Sequence, residues 1–262
     1  MTTLPYDPKF YAATHRGNAG DVEFYRGLCE KAETVLELGC GSGRVLQAVL
    51  SPTATGVGID LHDGLLELAR VHADETGGRA RCSFERGDMR TLSLGRRFER
   101  VLIPYSGLFC LEDTRGLSAC LQTAAAHLSS DGLLALDTYA ADGFHLHTPE
   151  EDVGELDAWN QLEDVEVDGV KFHVHERSRW DRSTQTIVAH YRYVCDDGSV
   201  YEASLPQRYV LAEELMLASM HAGLEPVALW GDFDQSPYDP DHSEHMIFVA
   251  RHATDGSPDP RS

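Results

Sequence analysis

Long apolar runs, paired cysteine spacings and basic clusters are what this 262-residue sequence lacks. No stretch has enough consecutive apolar residues to span a bilayer, and the opening MTTLPYDPKF lacks the apolar core of a signal peptide. The six cysteines show no paired spacing, and several fall in segments predicted to be buried. We therefore expect reduced core thiols in a cytoplasmic protein rather than a disulfide framework.

Positive charge is also scarce, because 43 acidic residues stand against 22 basic ones and the formal net charge is -21. Such a surface repels phosphate backbones, and no Lys/Arg cluster offers a local basic groove. Nucleic acids and membranes are therefore not expected as partners, which favours a small-molecule substrate. The oligomeric state is left open, a homodimer included.

Strand-like and helical segments alternate along the first 140 residues, which predicts βαβ units and a mostly parallel sheet. The helix TRGLSACLQTAAAHLSSDG is predicted to run to Gly132. Period-two stretches between about Glu155 and Tyr209, with a turn at CDDGS, predict antiparallel strands. The sequence thus divides into an N-terminal lid segment (1–20), a Rossmann-like domain (21–140 and 206–252), an inserted antiparallel β cap (141–205) and a disordered tail (253–262).

The stretch VLELGCGSGRV places glycines at alternate positions between a predicted strand and a predicted helix. In a parallel sheet, this first strand-to-helix turn is a ligand-binding position. A dinucleotide fingerprint needs a third glycine at the sixth position, where Arg44 stands instead, so the spacing Gly39, Gly41, Gly43 disfavours a nicotinamide oxidoreductase.

Acidic residues follow the next two predicted strands. Asp60 ends GVGID, 21 residues after Gly39, where a carboxylate accepts hydrogen bonds from both hydroxyls of a ribose. Asp88 and Met89 follow the third strand, where a carboxylate accepts from an adenine amino group and a backbone N–H donates to the ring. Acid-bearing turns at successive strand ends therefore indicate an adenosine ligand.

Five stretches together resemble the class I S-adenosylmethionine-dependent methyltransferases: VLELGCGSGRV, GVGIDLHDGLLELA, FERGDMRTL, FERVLIPYSGLFCL and DGLLALDTYAADG. The ending, from RYVLAEELMLASMHAG to HMIFVARH, is similar to that family's last helix and strand pair. The resemblance implies a seven-stranded doubly wound sheet, mostly parallel with an antiparallel last strand, and S-adenosyl-L-methionine as cofactor. Within the family, the chain looks most like the small-molecule methyltransferases.

The resemblance also implies roles for individual residues. Gly39, Gly41 and the Cys40 backbone would line the methionine half of the cofactor, and Glu37 would fix its amino group. Asp60 would take the ribose hydroxyls, with Leu61 against the adenine. The adenine edge would be read by Asp88 and Met89, whereas Pro104 and Tyr105 would face the sulfonium and the acceptor. Arg44 receives no role.

Candidates for positioning or deprotonating the acceptor follow the fourth and fifth strands. They are Tyr105, Ser106 and Tyr139, with His145 or His147 as a base if the loop DGFHLH folds over the cleft. By position alone, Tyr6, Tyr11 and Arg16 would form a lid over the cofactor.

Paired histidines raise a metal site as an alternative, at His173 and His175 and at His242 and His245. No acidic or cysteine ligand completes either set in sequence, so structural or surface histidines are favoured and no metal is expected. The leading hypothesis is methyl transfer to the nitrogen or oxygen of a small metabolite. The alternatives are a protein or RNA methyltransferase on the same fold and a non-catalytic scaffold that binds the cofactor.

Overall fold

The computed structural model describes residues 5–149 and 159–253. The twelve strands in these residues are β1 (Thr34–Leu38), β2 (Thr55–Asp60), β3 (Cys82–Arg86), β4 (Phe98–Ile103), β5 (Leu128–Tyr139), β6 (Asn160–Gln161), β7 (Val165–Val167), β8 (Val170–Asp181), β9 (Thr186–Cys195), β10 (Val200–Arg208), β11 (Leu224–Trp230) and β12 (His245–His252). The α-helices are α1 (Pro8–Thr14), α2 (Asp21–Cys29), α3 (Arg44–Val49), α4 (Asp63–Glu75), α5 (Thr114–His127), α6 (Asp142–His147) and α7 (Ala212–His221).

The larger sheet has seven strands in the order β11-β12-β5-β4-β1-β2-β3. Neighbouring strands from β5 to β3 pair in parallel, whereas β12 runs antiparallel to both β5 and β11. The predicted doubly wound sheet with an antiparallel last strand is therefore confirmed. Strand order reverses between β1 and β4, which opens a crevice at the carboxyl ends of these strands.

Helices cover both faces of this sheet because its strands are apolar on both sides. One buried cluster packs α5 and α7 against the sheet, with Leu117, Leu121 and Leu215 fully buried. A second cluster joins α2, α3 and α4 to the opposite face through residues such as Leu46 and Leu66. The crevice is thus held between two packed layers.

The predicted long helix ends earlier than its sequence suggests. Helix α5 stops at His127, and Leu128 already belongs to β5, where it lies opposite Phe98. Burial of Leu128 in the sheet stabilises an extended backbone here, although the apolar spacing alone continues the helix to Gly132. A register shift between Phe98 and Arg100 of β4 accommodates the early start of β5 at Leu128.

A second, antiparallel sheet has the order β10-β9-β8-β6, with β7 paired to β8. Its own buried cluster includes Val174, Tyr191 and Tyr193, and Phe10 of α1 packs against that cluster. The predicted turn at CDDGS joins β9 to β10, with Gly198 at a φ of 84°. The sheet and the N-terminal helix therefore form one apolar unit over the crevice.

All six cysteines fall within the described residues and are free thiols. No described helix is long and apolar enough to cross a membrane. The proposed tail lies outside the described residues from residue 254 onward, as do residues 1–4 of the lid segment and residues 150–158 of the cap segment.

Candidate active site

A cleft of about 400 Å³ occupies the crevice at the carboxyl ends of the parallel strands. Its walls come from the turns after β1 to β5, the N-terminal segment and the second sheet. Every predicted cofactor residue lines it: Glu37, Gly39, Cys40, Gly41, Asp60, Leu61, Asp88, Met89 and Pro104. Of the predicted acceptor residues, Tyr105, Ser106 and Tyr139 line it as well.

The glycine turn is held by the neighbouring strand. The backbone N–H groups of Gly39 and Cys40 both donate to the carbonyl of Ile59, at 2.8 and 2.9 Å. Gly39 and Gly41 have φ values of 74° and 52°, which glycine adopts without strain. A Cβ added at either glycine would meet no atom within 4 Å, so this backbone faces open cleft.

Asp60 connects the glycine turn to the end of β2. Its Oδ2 accepts the Gly41 N–H and its Oδ1 accepts the His62 N–H, both at 2.8 Å. Each carboxylate oxygen has a further lone pair, and Asp60 lines the cleft. The carboxylate is therefore preorganised to accept hydrogen bonds from a ligand's hydroxyl groups.

Glu37 is the most unusual acid of the cleft. It is 3% exposed, and its Oε2 atom is buried without a hydrogen-bond partner in the described residues. Burial raises its pKa to about 8, and the charge of Arg44 and a hydrogen bond from the Leu46 amide offset only part of this effect. An orphaned carboxylate oxygen beside an open glycine turn suits a ligand with a positively charged amino group.

Arg44, which has no assigned role from the sequence, anchors the base of the cleft. Its Nη1 and Nη2 donate to the two carboxylate oxygens of buried Asp21, at 3.0 and 2.6 Å. The guanidinium also packs on Gly17 and lies 5.8 Å from the ring centroid of Tyr105. This residue thus joins α2, α3 and the N-terminal segment.

Asp88, which the sequence predicts to border the adenine, lines the cleft and already has a cationic partner. Arg90 Nε and Nη2 donate to its two oxygens at 3.0 and 2.7 Å. These hydrogen bonds are the largest cause of a pKa held below the ordinary value for Asp88. A ligand amino group at Asp88 would therefore share the carboxylate with Arg90.

The turn after β4 has a strained backbone. Tyr105 and Ser106 have φ values of 53° and 56°, which non-glycine residues rarely adopt. The Asp137 carboxylate holds the turn, because its Oδ1 accepts the Tyr105 N–H at 2.9 Å and the Tyr25 hydroxyl at 2.5 Å. Burial raises the pKa of Asp137 to about 6. Strain maintained in this way is typical of functional sites.

Part of the cleft is an aromatic chamber lined by Tyr11, His15, Tyr105, Tyr139 and Tyr191. The His15 ring contacts Tyr11, Tyr105 and Tyr191 at centroid distances of 4.4, 6.1 and 5.4 Å. Burial lowers its pKa to about 4, so the imidazole is neutral at physiological pH. Sequence reasoning missed His15, because nothing in AATHRGN distinguishes this histidine from a surface residue.

The N-terminal segment is fastened to the second sheet by hydroxyl groups. Tyr6 and Thr14 both hydrogen-bond to the Tyr193 hydroxyl, at 2.5 and 2.6 Å. Tyr6 also contacts His15 Nε2 at 3.2 Å. Arg16, by contrast, donates to the Ala13 carbonyl and does not line the cleft. Tyr11 is thus the member of the proposed lid that reaches the cleft directly.

The loop histidines do not enter the cleft. His145 lies on α6, where its Nδ1 is 2.8 Å from the Tyr209 hydroxyl, and His147 is 3.2 Å from a carboxylate oxygen of Asp241. Neither residue lines the cleft. Helix α6 turns these imidazoles toward other neighbours, so the geometry does not support a proton-transfer role for either.

One histidine of each pair contacts carboxylates, whereas the Nδ1 atoms of His175 and His245 are buried without a hydrogen-bond partner in the described residues. His173 contacts Asp164 and Asp196 at 3.0 and 3.2 Å, and His242 contacts Asp239 at 3.1 Å. Within residues 5–149 and 159–253, no group of three His, Cys, Asp or Glu side chains is arranged to hold a metal ion.

Comparisons with known proteins agree with this architecture. Residues 35–132 match the family described as "Methyltransferase domain". A curated relative, dTDP-3-amino-3,6-dideoxy-alpha-D-glucopyranose N,N-dimethyltransferase of Streptomyces fradiae, is 30% identical over 125 residues, which cover 48% of this chain and 47% of that protein. The chain spans about half the length of the curated relatives it matches.

Solved structures cover much more of the chain. The CcbJ methyltransferase from Streptomyces caelestis superposes with a TM-score of 0.77 at 24% identity, covering 95% of this chain and 99% of that one. SAM-bound CalS10, an amino pentose methyltransferase from Micromonospora echinaspora, gives a TM-score of 0.68 at 21% identity, covering 97% and 100%. At these identities the likeness establishes the fold.

The seven-stranded sheet with one reversed strand, together with the second antiparallel sheet, defines a Rossmann-like methyltransferase fold. The sequence match covers the glycine turn and the three following strands, whereas the likeness in fold covers nearly the whole chain. Residues 35–132 thus match a methyltransferase domain, and the chain has the fold of solved methyltransferases.

Proposed function

We propose that this protein uses S-adenosylmethionine to methylate the amino nitrogen of a small metabolite. The observation that carries the proposal is a single cleft that joins a glycine turn flanked by acids to an aromatic chamber. The printed names of the relatives support nitrogen as the acceptor atom, since they describe an N,N-dimethyltransferase and an amino pentose methyltransferase.

The residues present fit this cofactor. In our assignment, the unpartnered Oε2 of Glu37 accepts the amino group of the methionine portion, and the exposed backbone of Gly39 and Gly41 lies along that portion. Asp60 takes the ribose hydroxyls through the lone pairs that its two backbone hydrogen bonds leave available. Asp88 and Met89 border the adenine, with Leu61, which is 53% exposed, against the ring.

When bound, the cofactor supplies a methyl group activated on a sulfonium. The contribution of this chain is then to position the acceptor and to exclude water, and such positioning lowers reaction barriers by ~7–11 kcal/mol in well-oriented systems. Tyr105 and Tyr139 both border the chamber, so we assign them to acceptor positioning. Leu205 and Gln207 of β10 close it from the second sheet.

Calorimetric titration tests the cofactor first, with S-adenosylmethionine and NAD added separately to the intact chain. We expect micromolar binding of S-adenosylmethionine alone. Transfer is then measured with methyl-labelled cofactor and two matched acceptor sets, amines and the corresponding alcohols, and label should enter the amines. Binding of NAD alone, or label in the alcohols alone, would contradict the proposal.

A further inference from the structure

Glu176 of β8 is not itself among the residues that line the cleft, but it lies on the same face of the second sheet as Tyr191, which does line it. It pairs directly with Tyr191 of β9, and directly opposed residues of an antiparallel pair project to the same face. Tyr191 lines the cleft, so the carboxylate shares its side of the sheet. Burial raises the pKa of Tyr139 and Tyr191, and the negative charge of Glu176 is the next largest cause for both.

The Glu176 carboxylate is half-buried and has one polar contact among the described residues. The Ser178 hydroxyl donates to its Oε1 at 3.0 Å. No described lysine, arginine or histidine forms an ion pair with it, unlike Glu202 on the opposite face, which pairs with Arg192 at 2.8 Å. A partly desolvated carboxylate next to aromatic rings is suited to a ligand cation or hydrogen-bond donor.

The cleft offers little to a phosphorylated acceptor. Among the described residues, the arginines that line it are Arg44 and Arg90, and each already makes bidentate contacts with an aspartate. His15 is neutral because burial lowers its pKa to about 4. A diphosphate needs several free charge-assisted donors, and acidic walls repel it.

We propose that the acceptor is a small amine without a phosphate group and that Glu176 is the specificity-determining residue that binds its amino group. This inference rests on the proposed function and names the substrate class of the same site. The faces of the tyrosine rings in the chamber also favour an amine as acceptor, since tyrosine rings attract ammonium groups. The acceptor thus differs in chemistry from the dTDP-linked amino sugar in the name of the Streptomyces fradiae relative.

The test is calorimetry on the intact chain saturated with S-adenosylhomocysteine, with two probes. Cyclohexylammonium presents an amine on a six-membered ring without phosphate, and thymidine diphosphate presents the nucleotide portion alone. We expect cyclohexylammonium to bind and thymidine diphosphate to show no binding at about 1 mM. Glu176→Gln should weaken cyclohexylammonium binding about tenfold, because the charge-assisted contact is lost.

Glu202→Gln is the matched control, since it makes the same change in charge on the other face of the same sheet. It should leave the affinity for cyclohexylammonium unchanged, and thymidine diphosphate should still show no binding. Tight binding of thymidine diphosphate, no binding of cyclohexylammonium, or equal weakening by the two substitutions would overturn the inference. Absence of S-adenosylhomocysteine binding would instead count against the proposed function, so the two failures are distinguishable.

Discussion

Replacing Arg44 with methionine should destabilise the protein by about 3 kcal/mol, the lower end of the range for breaking one side of a buried ion pair. The side chain of Asp21 is 4% exposed, and that of Arg44 is 30% exposed. Two guanidinium nitrogens and the Asn18 N–H satisfy the carboxylate. Without the guanidinium, a buried charge retains one backbone donor, whereas methionine preserves most of the side-chain packing.

Urea unfolding followed by far-UV circular dichroism measures this change, provided that the m-value is constant. Arg79→Met serves as the control, because its ion pair with Asp74 joins two side chains that are each 57% exposed. An exposed pair of this kind contributes less than about 1 kcal/mol.

A double-mutant cycle separates the pair from other effects of the substitution. Asp21→Asn combined with Arg44→Met should be more stable than the sum of the single changes predicts, by about 2 kcal/mol, since no buried charge is then left unpaired. If Arg44→Met destabilises no more than Arg79→Met, or if the cycle shows additivity, the assigned role of the bridge is refuted.

Three further changes test the cleft. Gly17→Ala should lower the free energy of unfolding in urea more than Gly20→Ala does. Both glycines have positive φ, but a Cβ at Gly17 would lie 2.3 Å from Arg44 Cζ, whereas a Cβ at Gly20 would lie 3.4 Å from its nearest atom. Equal losses of stability would contradict this prediction. The pKa of Glu37 is raised from 4.5 to about 8, so the stability of the ligand-free protein should fall as pH rises from 4.5 to about 8. Glu37→Gln should make stability depend less on pH across this range. An unchanged pH profile of stability in this variant would refute the prediction. Asp60→Ala should reduce the affinity for S-adenosylmethionine at least about tenfold and lower the free energy of unfolding by about 1–2 kcal/mol. Asp60→Asn should be less destabilising. A calorimetric affinity of Asp60→Ala equal to that of the wild type would reject the assignment of Asp60 to the cofactor.

Much of the fold follows from local sequence pattern. Alternating strands and helices predicted βαβ units and a mostly parallel sheet, because each element's periodicity reflects its own burial, whereas the number of seven strands was implied by the family resemblance. The end of α5 was predicted wrongly at Gly132, since apolar spacing after His127 fits a helix as well as a buried strand. Only pairing with Phe98 favours the extended form of Leu128. Boundaries of this kind depend on partners that are distant in sequence.

The sequence by itself determined the glycine turn and its acids, because Gly39, Gly41 and Asp60 act through backbone geometry at adjoining strand ends. Only the tertiary structure decided which further side chains lie at the proposed acceptor end. There, His15 meets Tyr191, which lies in the second sheet 176 positions along the chain, and Glu176 shares a face of that sheet with the same tyrosine. Such contacts have no local signature, since long-range packing selects which of many similar tyrosines, histidines and glutamates share one cavity.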